Sequence, residues 1–106
     1  MFQKVIIAIL LFSVLGGCTE PLPDDSAIAE AVSKSDDYST YESEFIAATK
    51  NLLKSEQCSI GDFKEMGGWM KSTTTYKDEP VYFTYCGGMT ISNRIYLDAS
   101  KGETFR

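Results

Sequence analysis

The sequence contains no histidine, and only three cysteines and three prolines among its 106 residues. Without histidine, the chain can form neither a Ser-His nor a Cys-His catalytic pair, and it lacks a common zinc ligand. Basic residues are also few, since 10 Lys and Arg stand against 15 Asp and Glu, for a formal net charge of −5. Nucleic-acid binding needs a basic surface, so the composition argues against that class of partner. The length allows one small domain.

Long hydrophobic runs are absent except at the N-terminus, where residues 5–15 are apolar apart from Ser13 and follow Lys4. As a helix, this run would rise about 16 Å, which is too short for a hydrocarbon core of about 30 Å. A charged start, a short apolar stretch and small residues behind it are typical of a secretory signal. We expect residues 1–17 to be a signal peptide.

The residues that end this segment are Leu15, Gly16, Gly17 and Cys18, and they resemble the lipobox of bacterial lipoproteins. The resemblance implies that Cys18 is acylated, becomes the first residue of the mature protein and anchors it in a lipid bilayer. In that class an Asp after the cysteine is the usual signal for retention in the inner membrane, whereas this chain has Thr19. The resemblance therefore implies an outer-membrane lipoprotein, and we expect its domain to face the periplasm. The alternative is an ordinary cysteine after a conventional cleavage site.

Residues 18–38 are predicted to form an acidic, flexible tether. They are rich in Asp and Glu, contain Pro21 and Pro23 and have few bulky apolar side chains, which is typical of extended, solvated chain. As a flexible coil, a segment of about 22 residues would span roughly 25 Å. Residues 26–34 also have the pattern of a short helix with Ile28 and Val32 on one side. An unpacked helix of that length is marginal in water, so a partly ordered linker is favoured over a partner-docking segment.

Cys58 and Cys86 are the two cysteines of the remaining chain. In an oxidising compartment an even pair predicts one disulfide. It would close a loop of about 29 residues and contribute roughly 3–4 kcal/mol to a domain that is otherwise marginal. The alternative is a redox pair or a metal site, but there is no Cys-x-x-Cys motif and two thiolates without histidine make a poor zinc site. We expect no metal and no cofactor.

Residues 39–106 are predicted to form the small periplasmic domain, beginning with a helix. Ser39 and Glu42 have the spacing of a capping box, and apolar residues then recur at helical spacing to about Ser55. These residues are Tyr41, Phe45, Ala48, Thr49, Leu52 and Leu53. Ser59 and Asp62 predict a second capping box, which begins a shorter helix that ends at Gly67 and Gly68.

The rest of the chain predicts strands at residues 69–75, 81–86 and 94–98, and a short terminal strand through Phe105, separated by turn-forming clusters. Alternation along 81–86 places Val81, Phe83 and Tyr85 on one face and Tyr82, Thr84 and Cys86 on the other. Ile95 and Leu97 are expected to point inward. The predicted fold is α+β: one amphipathic helix packed on a small antiparallel β-meander, with one disulfide.

Aromatic residues and an arginine provide the candidate binding surface: Trp69, Tyr82, Tyr96 and Arg94. Tyr, Trp and Arg are the residue types enriched at protein–protein hot spots, and aromatic rings also stack on sugars. For Arg94 the alternative is an ordinary surface ion pair with an acid such as Glu79 or Asp98.

The favoured alternative for the aromatic residues is that Trp69, Phe83 and Tyr85 form the core, because so small a domain needs every large side chain for packing. No pair of carboxylates stands out as catalytic, and the chain has neither a Gly-rich phosphate loop nor a Gly-x-Ser-x-Gly motif. We therefore expect no enzyme but a lipid-anchored protein-binding, inhibitory or accessory module with an envelope protein as its partner. The alternative is a module that binds cell-wall glycan or a small ligand.

Overall fold

The structure is a computed structural model that describes residues 22–106. The expected signal peptide, the expected lipidation site Cys18 and the residues up to 21 lie outside the described residues. Within the described part, three helices precede a four-stranded sheet, and a short 3₁₀ turn over Ile91–Asn93 precedes the third strand. The helices are α1 (Asp25–Ala31), α2 (Tyr38–Lys54) and α3 (Ile60–Met66), and the strands are β1 (Met70–Lys71), β2 (Val81–Tyr85), β3 (Arg94–Asp98) and β4 (Glu103–Phe105).

The sheet has the order β1-β2-β3-β4, and each neighbouring pair is antiparallel. One face of this meander packs against the helices and forms the core with them. The largest fully buried side chains of that core include Trp69, Tyr82 and Phe45, and the rings of Phe45 and Tyr82 meet edge to face at 5.1 Å. The predicted α+β architecture, with a helix on a small antiparallel meander, is confirmed.

The predicted disulfide is also confirmed, since Cys58 and Cys86 are bonded and their Cα atoms lie 5.1 Å apart. The bond joins the start of α3 to the end of β2. Ser59 and Asp62 form the predicted capping box of α3, and Gly67 ends that helix in the left-handed region at φ 81°. This part of the chain is therefore held in place both by local capping and by a covalent cross-link to the sheet.

The predicted flexible tether is wrong over residues 25–38, because this segment is part of the folded domain. Asp24 caps α1 by accepting a hydrogen bond from the amide of Ala27, and Ile28 and Val32 are fully buried. The buried Ser35 hydroxyl accepts a hydrogen bond from the Trp69 amide at 2.7 Å. A helix of seven residues is unstable alone but forms here because its apolar side packs against the other helices.

The predicted capping box at the start of α2 is wrong as well. The helix begins at Tyr38, its N-cap Asp37 is in the left-handed region without a side-chain capping bond, and Tyr41 interrupts the helical geometry. The Asp37 carboxylate instead accepts a 2.6 Å hydrogen bond from the Tyr82 hydroxyl. A tertiary contact thus takes the place of the local capping arrangement that the sequence predicts.

The first predicted strand is shorter than expected. Only Met70 and Lys71 pair with β2, whereas the predicted strand extended over residues 69–75. The Ser72 amide donates to the Val81 carbonyl, and the Ser72 hydroxyl accepts from the Tyr76 amide. The chain turns away from the sheet at this point, despite the β-forming threonines that follow, because strand preference depends on having a neighbour to pair with.

Candidate binding surface

The outer face of the sheet carries aromatic side chains that are not part of the buried core. Cross-strand register places Tyr85 opposite Arg94, Phe83 opposite Tyr96, and Tyr96 opposite Phe105. Side chains directly opposite each other lie on the same side of the sheet, so these five residues share one face. All five are half-buried and none belongs to the core cluster beneath the helices. We call this set of five residues the open face.

The rings of the open face pack against one another in a continuous layer. Tyr96 and Phe105 stack with their centroids 5.2 Å apart, and Phe83 meets the edges of Tyr85 and Tyr96 at 5.8 and 6.4 Å. Tyr76, in the connection between β1 and β2, adds edge contacts to Tyr96 and Phe105. Mutual packing shields part of each ring and leaves the rest of each ring accessible.

Arg94 lies over this layer. Its guanidinium carbon is 4.9 Å from the Phe83 ring centroid, 5.2 Å from that of Tyr85 and 5.9 Å from that of Tyr96. Its Nη1 donates to the Tyr96 hydroxyl at 3.2 Å, and its Nε and Nη2 donate to the Tyr85 hydroxyl. The bonds to Tyr96 and then to Tyr85 raise the pKa of the guanidinium above its usual value. Aromatic rings and hydroxyl groups therefore hold the cation in one place.

The ion pair considered for Arg94 is not formed with either of the two acids that the sequence suggests. The Asp98 carboxylate accepts hydrogen bonds from the amide and hydroxyl of Ser100, and these bonds lower the pKa of Asp98. Within residues 22–106 the one salt bridge joins Lys50 to Asp25. The positive charge of Arg94 thus has no carboxylate partner in the described part of the chain.

Two of the predicted surface residues lie in the core. Trp69 and Tyr82 have exposed fractions of 0% and 1%, so neither can contact a partner in this structure. The indole of Trp69 donates to the Thr49 hydroxyl at 3.1 Å, and burial together with the hydrogen bond to Asp37 raises the pKa of Tyr82 well above its ordinary value. Both polar groups are thereby satisfied inside the domain, which removes the main cost of burying them.

The other two predicted surface residues, Tyr96 and Arg94, come together on the open face. Phe83 and Tyr85, for which the core was the favoured interpretation, lie beside them, whereas the core position of Trp69 is confirmed. The sequence contained a signal for this arrangement. Cys86 bonds to the helical part of the chain, so the face of β2 that it shares with Tyr82 must be the inner one, and the alternate residues must face outward.

The hairpin loop between β2 and β3 adds apolar surface beside the open face, and sequence reasoning did not single it out. Met89 and Ile91 are each 72% exposed, which places them among the exposed large apolar side chains of the described residues. Gly87 and Gly88 have positive φ values of 92° and 127°, and the Asn93 amide group donates to the Gly87 carbonyl. The loop leaves the sheet at the Tyr85–Arg94 pair, so Met89 and Ile91 belong to the connection at that end of the open face.

Two further kinds of feature are absent from residues 22–106: a metal site and a membrane-spanning helix. In residues 22–106 no three His, Cys, Asp or Glu side chains are grouped to hold a metal ion. No helix in that range is long and apolar enough to cross a membrane. No family model, curated protein or solved structure matches this chain. The open face and the adjoining loop are therefore the features on which a function can be argued.

Proposed function

We propose that this protein is a lipid-anchored envelope protein whose small domain binds another protein through the open face, and that it acts by binding and not by catalysis. The observation that carries this proposal is the layer of aromatic rings under Arg94 on the side of the sheet away from the helices. Tyr, Phe, Met and Arg are enriched at the centres of protein interfaces, and the open face and its loop consist largely of these residue types. Grouped apolar surface of this kind typically marks an interaction site.

The anchor that we propose is the acylated Cys18, at the outer membrane with the domain in the periplasm. Its support is the lipobox resemblance, together with a disulfide that suits an oxidising compartment. Because α1 is docked on the domain, six residues separate Cys18 from α1. Fully extended, that stretch reaches at most about 25 Å, compared with about 75 Å for the predicted tether of residues 18–38. The partner would therefore lie close to the membrane.

The anchor is tested by the intact mass of the protein extracted from membranes, before and after reduction. We expect the mass of residues 18–106 plus acyl groups, with a rise of about 2 Da when the disulfide is reduced. Cys18→Ala is the matched control, and we expect it to be unacylated and to leave the membrane fraction. An unacylated wild-type chain, or one that retains residues 1–17, would refute the anchor.

Binding through the open face is tested by a photo-cross-linking amino acid placed in the full-length protein in intact cells. One variant carries it at Met89, beside the open face, and the control carries it at Asn51, an exposed position on α2. We expect a discrete protein adduct from Met89 that disappears when Tyr96→Ala is added, and no such adduct from Asn51.

Two results would refute protein binding at this surface. One is the same adducts from both positions, or none from either. The other is a Met89 adduct that a glycan-cleaving enzyme returns to the mass of this protein alone, which would favour the glycan-binding alternative.

A further inference from the structure

Arg94 has binding capacity that the fold does not use. A guanidinium has five N–H donors, and three hydrogen bonds to tyrosine hydroxyls engage three of them. The hydroxyl oxygens of Tyr85 and Tyr96 act as acceptors in these bonds. Within residues 22–106 neither hydroxyl donates its own hydrogen to a protein group. Two N–H groups and two O–H groups therefore remain as donors around one positive charge.

The surroundings of this donor cluster select among anions. The chain has a formal net charge of −5, so a polyanion such as a nucleic acid or a strongly anionic lipid surface would be repelled. A single anionic group within an apolar segment fits better, because its neighbours can cover the aromatic surface that Arg94 leaves accessible while the anion reaches the guanidinium. An arginine fork and a carboxylate also match in geometry.

We propose that Arg94, together with the hydroxyls of Tyr85 and Tyr96, binds the carboxylate of an aspartate or glutamate side chain that lies in an apolar segment of the partner protein. This inference rests on the proposed function, since it names the group that the open face recognises. The rings under the guanidinium fix its plane before binding, which lowers the entropy cost of forming a two-pronged contact. The carboxylate would accept from the two remaining N–H groups and from the nearby tyrosine hydroxyls.

The first test uses a pair of synthetic probes, acetyl-Leu-Glu-Leu-amide and acetyl-Leu-Gln-Leu-amide, titrated into the mature protein in detergent micelles. The readouts are the side-chain Nε–H signal of Arg94 and the ring signals of Tyr85 and Tyr96 by NMR. We expect the Glu peptide to shift these signals and the Gln peptide to bind at least about 10-fold more weakly. Binding of the Glu peptide should weaken as the pH falls through its carboxyl pKa of about 4.3. Equal binding of the two peptides, or shifts elsewhere in the domain only, would overturn the proposal.

Inorganic phosphate provides a second arm, because its oxygen atoms can also accept two hydrogen bonds from an arginine fork but it carries no apolar segment. We expect it to bind more weakly than the Glu peptide, since it offers nothing to cover the aromatic rings. Tighter or equal binding of phosphate would overturn the assignment of a carboxylate within an apolar segment.

Three variants separate the contributions of the Arg94 charge, of its two-pronged hydrogen bonding (the fork) and of the two tyrosine hydroxyls. Arg94→Lys keeps the charge and loses the fork, Arg94→Gln loses both, and Tyr85→Phe with Tyr96→Phe keeps the rings and loses both hydroxyls. We expect each to weaken the Glu peptide, with Arg94→Gln abolishing its preference over the Gln peptide. Fluorescence of the buried Trp69 shows whether each variant is folded, and the tyrosine double variant keeps the test decisive if Arg94→Gln unfolds. Unchanged binding in all three variants would refute the proposal.

The cross-link from Met89 distinguishes this inference from the proposed function. If the protein adduct persists in Arg94→Gln at wild-type yield, the open face binds a partner but not through a carboxylate on Arg94. If no adduct forms even in the wild-type background, protein binding by the open face is itself refuted.

Discussion

Replacing the buried Ile28 of α1 tests whether this segment belongs to the domain or is a tether. Ile28→Ala removes three carbon atoms from a side chain with an exposed fraction of 0%. At about 0.8 kcal/mol for each buried carbon, the transfer contribution alone is about 2.4 kcal/mol, and the cavity left behind adds to it. We therefore expect a loss of about 2–5 kcal/mol in the free energy of unfolding.

The matched control is Ile91→Ala, which makes the same chemical change at a residue that is 72% exposed. Its expected effect is within about 0.5 kcal/mol, as for most surface substitutions. A domain of this size has a total stability of about 4–13 kcal/mol, so the two variants should be easy to tell apart.

Urea unfolding followed by the fluorescence of Trp69 is the appropriate measurement, because this residue is fully buried and is the single tryptophan of the chain. With a slope of about 1 kcal/mol per M, the midpoint of Ile28→Ala should fall by about 2 M or more. If Ile28→Ala and Ile91→Ala have the same midpoint as the wild type, α1 does not pack on the domain and the flexible tether is the correct description.

Four further predictions concern the stability of the domain. Gly68→Ala should prevent stable folding, because the added Cβ would lie 2.8 Å from the Val32 carbonyl oxygen and φ at this residue is +124°. The control is Gly102→Ala, whose Cβ meets no atom within 4 Å and which should lower the free energy of unfolding in urea by only about 1–2 kcal/mol. Equal losses in the two variants would contradict the close approach of Gly68 to Val32. Thr84→Val should leave the stability unchanged in the same assay or raise it by up to about 1 kcal/mol. The reason is that the buried Thr84 hydroxyl has no hydrogen-bond partner among the described residues. A large loss of stability would reveal a hydrogen bond that the structure lacks. Reduction of the disulfide, which joins residues 28 apart, should lower stability by about 3.6 kcal/mol in the chain-entropy description, and an unchanged urea midpoint would show that the cross-link does not stabilise the domain. Burial and a hydrogen bond raise the pKa of Tyr82 in the folded state. The stability that Tyr82 contributes is therefore complete below the unfolded-state pKa of about 10 and declines as the pH rises above it. Tyr82→Phe should lose less stability at alkaline pH than the wild type.

Features set by neighbouring residues were predictable from the sequence. The predicted strand 94–98 coincides with β3, and Ser59 and Asp62 form the capping box that their spacing indicates. The disulfide followed from the count of cysteines that remain after the expected lipidation site. The strand and the capping box depend on residues that are close together along the chain. The disulfide was predictable because each of the two remaining cysteines has no other cysteine to pair with.

Features set by contacts between distant residues were not predictable in the same way. Whether residues 25–38 are linker or helix depends on whether Ile28 and Val32 find a surface to bury against, and that surface is built by residues that follow much later. The start of α2 differs from its local signal because Asp37 is bonded to Tyr82, 45 residues away. Local propensity is worth only a few tenths of a kcal/mol per residue, so one tertiary contact is enough to override it.

The sequence by itself determined the α+β class, the presence of α2 and α3, the central hairpin and its cross-link, because these depend on local spacing and on alternation along a strand. Tertiary contacts decided which aromatic residues are buried and which are displayed, and the disulfide was the one signal for it in the sequence. Alternation along β2 separates Tyr82 from Phe83 and Tyr85 but does not say which side meets the helices. The position of α3, fixed through the disulfide to Cys86, makes the Tyr82 side the core and leaves the other side, with Arg94, available for binding.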